Sequence, residues 1–218
     1  MKAEYIDHLG TDLTVVNAAR VSFDKESTEV TSGDTKLLSY LARHNHWTPF
    51  SHPQITMRET VPIFVARQRF KHMVGFTYNE VSRRYVDDEP EFYVTDVWRT
   101  RPEGSVKQGS GDADVVWVDE HECVTAEGLV KGLNMAALDT YNTLLKAGVA
   151  PEQARMVLPQ SMMTSYYVTG SLSAWARAYK QRIHEGSQQE IQDLAKQWDE
   201  VIAPLYPESW EVLTEEST

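Results

Sequence analysis

Residues 62–85 read PIFVARQRFKHMVGFTYNEVSRRY, and the rest of the chain is best read outward from them. The stretch begins as a helix and ends as a dense polar run. Pro62 suits a first helical turn, where its missing N–H costs nothing. Ile63, Ala66, Phe70, Met73 and Val74 recur at helical spacing and predict a buried stripe. Arg67 and Lys71 are four apart, and Gln68 and Lys71 three apart, so they share a neighbouring face. Gly75 is expected to break the helix. Beyond it, Asn79, Glu80, Ser82, Arg83 and Arg84 fall within six positions. Cations on a helix face are commonly just solvated. Here they share a loop with hydroxyl and amide donors and one carboxylate, in an otherwise acidic chain. That make-up suits a phosphorylated, hydrogen-bonding small molecule.

The chain has 218 residues, a length that fits one domain over 1–218. Six Trp and a 41% apolar content suffice for a real core. The net charge of −11 disfavours non-specific nucleic-acid binding, so the basic residues that matter are local. Met1-Lys2-Ala3-Glu4 leads into a polar, acidic segment, and no signal peptide is expected. No stretch approaches the length of a membrane span. The single cysteine, Cys123, excludes an intramolecular disulfide and fits a reducing cytoplasm.

Strands are expected at 2–8, 54–61, 92–98 and 165–169, with a short one at 115–118. Helices are expected at 12–22 (Asp12 as N-cap), 34–44, 125–147, from Pro151 to Pro159, 172–183 and 188–203. Lys25 to Gly33 reads as a polar loop, Asp87 to Glu91 as an acidic turn, and 101–122 as an insertion or surface loop. The C-terminal Glu-Glu-Ser-Thr is expected to fray. Strands and helices mix without a βαβ rhythm, which indicates an α+β fold with a small sheet. No Gly-x-Gly-x-x-Gly occurs, so a Rossmann-type site is not expected.

His44, His46 and His52 cluster, with His72 later, and His-x-His is a possible metal pair. No carboxylate or cysteine stands close by to complete a site, and no metal is expected. Cys123 lies in Asp-Glu-His-Glu-Cys, where neighbouring carboxylates raise a thiol's pKa, so a structural or incidental role is expected. Ser82 has no adjacent histidine to activate it and reads as a donor to phosphate. Arg155, Arg177 and Arg182 add cations in the second half. Two other classes stay open on these residues: a metal-dependent nucleotide hydrolase using His44, His46, His52 and His72, and a non-catalytic nucleotide- or RNA-binding module using Arg67 to Arg84.

The opening stretch also resembles the signature of the flavin-dependent thymidylate synthases. That family carries Arg-His-Arg, seven or eight residues, then a serine, with Asn-Glu before it and Arg-Tyr after it. Here Lys71-His72-Met73 is followed by eight residues and Ser82, with Asn79-Glu80 before and Arg84-Tyr85 after. The lead-in Phe64 to Gln68, the element His46-Trp47-Thr48-Pro49-Phe50-Ser51-His52, and Ala154 to Pro159 are similar to the family's as well. So are Gly170 to Trp175, and Arg182 with Glu190-Ile191-Gln192. Lys71 and Met73 stand where the family has arginines, and Ser173 where arginine is common. Lysine supplies charge without the bidentate fork, and methionine supplies neither.

The resemblance implies the family's α+β fold, a homotetramer with active sites shared between subunits, and a cytoplasmic enzyme of dTMP biosynthesis. The reaction it implies converts dUMP to dTMP with methylenetetrahydrofolate as carbon donor, FAD as hydride carrier and NADPH as reductant, releasing tetrahydrofolate. It implies Arg182 and His46 as catalytic residues. It places dUMP on Gln68, Arg69, Phe70, Lys71, Glu80, Val81, Ser82, Arg83, Arg84, Arg155 and Arg182. It places FAD on Thr48, Lys71, His72, Met73, Glu80, Ser171, Leu172, Ser173 and Arg177. A member that binds dUMP but has lost flavin is a variant of the same reading.

Overall fold

The computed structural model describes residues 1–215 other than 87, 103–108, 112, 113, 120 and 122. In chain order its elements are β1 (Lys2–Leu9), α1 (Asp12–Arg20), α2 (Ser32–Arg43), β2 (Gln54–Pro62), α3 (Ile63–Arg69) and β3 (Phe76–Glu80). There follow β4 (Trp117–Asp119), β5 (Val124–Thr125), α4 (Ala126–Lys146), α5 (Pro151–Ala154), β6 (Met163–Ser171), α6 (Leu172–Ile183), α7 (Gln189–Ile202) and α8 (Pro207–Thr214). One sheet has the order β1-β2-β6-β3, and β4 pairs antiparallel with β5. The class is α+β, as the mixed pattern indicates. Among the described residues no helix is long and apolar enough to cross a membrane. The chain divides into two compact units. The first comprises Met1–Glu59, Arg69–Asn79 and Tyr166–Thr218, and the second Thr60–Gln68 and Glu80–Ser165.

In the first unit, period-two alternation on β2 buries Ile55, Met57 and Glu59, while β6 buries Tyr166 and Val168. The opposite face is polar, with the Thr56 and Thr169 hydroxyls 2.9 Å apart. α6 and α7 supply the largest rings of this core: Trp175 and Trp198 are both fully buried and meet edge-on, with ring centroids 5.5 Å apart. Each such ring contributes about 2–3 kcal/mol by leaving water. Ser171 caps α6, its hydroxyl accepting the Ala174 N–H at 3.3 Å. Gly170 is required where it stands, because a Cβ there would lie 2.4 Å from the Phe76 ring.

The second unit holds most of α3, where Val65 and Ala66 are buried. The Ile63 N–H donates to the Met162 carbonyl at 2.9 Å, and the Phe64 N–H to the Gln160 carbonyl at 3.1 Å. Thr125 caps α4 by accepting the Gly128 N–H at 3.0 Å. The Thr60 and Ser165 hydroxyls are 3.1 Å apart. As β2 advances from Thr56 to Thr60, its partner on β6 recedes from Thr169 to Ser165, so these strands run antiparallel.

Several expectations need correction. Pro62 closes β2 rather than opening the helix, and α3 ends at Arg69. Met73 and Val74 therefore leave the helical stripe and are 73% and 75% exposed. Gly75 does not break the helix; it shapes the turn before β3, at φ +79°, with space for no Cβ against Ala174. The polar run then begins as a strand, β3, not as a loop. Phe92 to Trp98 forms no strand: Phe92 makes only an isolated bridge with Met162. Thr11, not Asp12, is the N-cap of α1. Asp12 is instead buried, and its carboxylate accepts the N–H groups of Glu208 and Ser209 at 3.0 and 2.9 Å. It thereby caps α8, a helix the sequence reading missed. α2 starts at Ser32, inside the expected loop. Asp87 of the expected acidic turn, part of 101–122 and the terminal Glu-Ser-Thr lie outside the described residues.

Candidate active site

The first unit carries a polar cluster built on the turn between α3 and β3. Tight packing fixes its floor. Arg69 is fully enclosed, 0% exposed, and its Nε lies 3.2 Å from each carboxylate oxygen of Glu59, also 0% exposed. The guanidinium sits over Phe76, Trp175 and Trp198, 4.4, 4.7 and 4.8 Å from their ring centroids. Tyr166 donates its hydroxyl proton to Glu59 at 2.5 Å. Arg69 Nη1–H donates to the Tyr78 hydroxyl at 2.6 Å, and that hydroxyl donates to the His72 carbonyl at 2.7 Å. Burial raises Tyr78 to about 12, so it keeps its proton.

Above this floor the Arg182 Nε–H donates to His72 Nε2 at 2.8 Å. An arginine nitrogen is only a donor, so His72 is neutral at Nε2 with its proton on Nδ1. The electrostatics agree. Burial, then the charges of Arg182, Arg69 and Arg177, lower His72 to about 4. Arg182 comes from the last turn of α6, where a cation complements the helix dipole. Burial and the Arg69 charge lower its pKa.

Beside this cluster, still within the first unit, is an open cavity of about 810 Å³. Arg43, Trp47, Val74, Ser173, Arg177 and Lys180 are among the residues lining it. Arg177 is anchored there by a hydrogen bond to the Val74 carbonyl. Ser173 shares a 2.7 Å hydrogen bond with Ser51, and another of 3.2 Å with the Ser171 hydroxyl. Guanidinium and ammonium groups around an exposed indole fit an anionic aromatic dinucleotide.

The second unit holds the other half of the expected set. Glu80 accepts the Thr164 hydroxyl at 2.6 Å. Val81 is exposed, and its N–H donates to the Ser165 carbonyl at 2.9 Å. Ser82, Arg83 and Arg84 form a turn in which the Arg84 N–H and Nε–H both lie 3.4 Å from the Ser82 hydroxyl oxygen. Arg83 is tied to the Asp88 carbonyl. Arg155 is exposed at the end of α5, and Gln68 is half-buried on α3. Cys123 is exposed beside the β4–β5 pair.

The structure thus brings together His72 with Arg182, Ser171 with Ser173, and Ser82 with Arg84. His46, Thr48, Lys71 and Met73 are exposed in the first unit, where Phe70 packs on Tyr166 with centroids 4.8 Å apart. Arg69 is paired with Glu59, and Leu172 is fully buried in the core, so any part either plays toward a ligand goes through its main chain. Sequence reasoning missed Tyr78 and Glu59. The signal for Glu59 was there: a carboxylate in phase with Ile55, Met57 and Val61 demands a buried partner. The metal alternative loses His72, whose Nε2 is taken by Arg182. Among the described residues no group of three or more His, Cys, Asp or Glu could hold a metal ion.

The family model described as thymidylate synthase complementing protein matches residues 4–208. The flavin-dependent thymidylate synthase of Thermus thermophilus is 35% identical over 210 residues, which is 96% of this chain and 74% of that protein. The enzyme of the same name from Thermosipho africanus is 37% identical over 190 residues, 87% of this chain and 80% of that protein. Among solved structures, the UMP/dUMP methylase PolB from Streptomyces cacaoi, bound with 5-Br dUMP, superposes with a TM-score of 0.84. It is 31% identical, and the match covers 98% of this chain and 94% of that one.

Proposed function

Because this chain belongs to the family of the flavin-dependent thymidylate synthases, we propose that it makes dTMP by reductive methylation of dUMP. The observation that carries the reading is Arg182, a half-buried guanidinium whose Nε–H donates to the neutral imidazole of His72 at 2.8 Å. A neutral acceptor orients the guanidinium without bringing an opposite charge of its own.

In this reading Gln68, Ser82, Arg84 and Arg155 hold the nucleotide, with paired cations meeting its phosphate. Glu80, Val81 and Arg83 complete the set of nucleotide-binding residues, and Lys71 supplies a further charge. Arg182 meets the uracil carbonyls. Its guanidinium stabilises the negative charge that gathers on them as C5 becomes nucleophilic toward the methylene carbon. The ring C5–H proton leaves after that carbon–carbon bond forms. FAD, when bound, supplies the hydride that completes the methyl group, with NADPH as the source of its electrons and methylenetetrahydrofolate as carbon donor. Thr48, Lys71, His72, Ser171, Ser173 and Arg177 are the residues for that cofactor, and the cationic cavity supports the assignment. His46 acts beside the flavin and the folate as a catalytic residue. The whole chain acts as one catalytic domain, in a cytoplasmic homotetramer.

The test is a visible spectrum of the purified protein with FAD, followed by NADPH and dUMP. Bound flavin that bleaches with NADPH is expected, and a protein that takes up no FAD overturns the redox reading. Arg182→Ala is expected to abolish dTMP formation with the fold intact; near-normal turnover would remove its role.

A further inference from the structure

The buried pair beneath the site does more than fill the core. Removing two charges from water costs several kcal/mol that an apolar pair would not incur. What the polarity provides is a directed hydrogen bond. Arg69 donates to Tyr78 at 2.6 Å, which leaves the phenol's own proton to be given away. Two carbonyls are in reach, Arg69 at 3.3 Å and His72 at 2.7 Å, and the shorter bond goes to His72. That bond ties down the turn between α3 and β3 at the residue whose ring receives Arg182. The chain from Glu59 through Arg69, Tyr78 and His72 to Arg182 lies within one compact unit.

We propose that Tyr78, backed by the Glu59–Arg69 pair, is a positioning residue for Arg182: it fixes the His72 main chain so that the His72 ring aims the guanidinium at the base of the nucleotide. The proposal rests on the reading of Arg182 given above. It deepens that reading by naming one contact that sets the arginine's direction.

Tyr78→Phe is the first test, because the ring keeps its packing against Phe70 and Phe76 and only the hydroxyl is lost. Calorimetry on the full-length protein uses two probes, dUMP and 2-deoxyribose 5-phosphate, which lacks the base. Tyr78→Phe is expected to weaken dUMP about tenfold, the worth of one hydrogen bond. The base-less sugar phosphate should bind unchanged. In an Arg182→Ala background the Tyr78→Phe change should cost nothing further, since the two act as one unit. His72→Leu should match the Tyr78→Phe loss, and His72→Gln, which retains an acceptor, should restore most of it.

The role is overturned if Tyr78→Phe binds dUMP normally, weakens both probes alike, or adds in full to Arg182→Ala. If Tyr78→Phe does not fold, the two His72 variants decide, and equal affinity in both overturns the role. An Arg182→Ala protein with unaltered dUMP affinity overturns the underlying reading of Arg182. A loss in that variant with none in Tyr78→Phe overturns only the positioning role.

Discussion

Arg69 carries a charge into the fully buried core, and its neighbours divide the work of stabilising it: one carboxylate, one phenol and three aromatic faces. Removing one partner should be far worse than removing both. Arg69→Met strands the Glu59 carboxylate and is expected to cost about 3–5 kcal/mol in urea unfolding. Adding Glu59→Gln, which stays neutral, should return part of that loss. His72 sets a second expectation at this scale. Its folded pKa of about 4 lies below the ordinary value of 6.5. Between those values the unfolded chain binds the extra proton, so stability falls as pH drops from 6.5 through 4 and levels off below. The groups facing the ring are Arg182, Arg69 and Arg177, and protonated His72 repels all of them. A His72→Gln variant should lose that limb of the pH–stability curve; an unchanged limb would refute the assignment. The sequence showed Arg69 only as one more cation in a basic run. Nothing local distinguishes an arginine that meets a ligand from one that meets a strand ten residues back in the chain.

Helix caps and turns decide how firmly these residues are held. Thr31 and Asp34 form a capping box at the start of α2, and Arg20 pairs with the same buried carboxylate. Hydrogen bonds from the Thr31 side chain and Arg20 hold Asp34 down at about 2. Asp34→Ala should destabilise the fold by about 1–2 kcal/mol, the upper range for a lost cap, read as a lowered denaturation midpoint with an unchanged slope. Gly75→Ala should be worse than a surface change and should slacken the turn carrying His72, because φ there is +79° and Ala174 leaves no room. The longer elements were legible from period alone: α6 begins and ends where its pattern says, and β2 extends one residue past it. β3 was legible too, in the alternation of Phe76 and Tyr78, but its polar residues read as loop. α8 was hidden because its N-terminal cap, Asp12, lies almost the whole chain away. Tertiary contacts, not propensity, start that helix.

At the scale of the molecule, a chain of net charge −11 concentrates cations where anionic ligands are expected. Arg43, Arg177 and Lys180 line one cavity, and Arg83 and Arg84 sit in one turn. The motifs marked the expected site residues as a set. How they divide between two units was not, because each unit is assembled from separated segments. Ser173 and Met73 replace family arginines by resemblance, and the cavity cations Arg43 and Lys180 are residues that no motif singled out. Charge reversal at Lys180, Lys180→Glu, is expected to weaken FAD binding several-fold by fluorescence titration while dUMP affinity holds; equal FAD affinity would refute a cofactor role for that cavity. The reaction proposed for the chain is reductive methylation of a deoxynucleotide. Its most direct test follows the products when the protein is given dUMP or UMP with FAD, methylenetetrahydrofolate and NADPH. The expected result is dTMP from dUMP, strict dependence on FAD, and release of tetrahydrofolate rather than dihydrofolate. No dTMP, flavin-independent dTMP accompanied by dihydrofolate, or preferred methylation of UMP would contradict it.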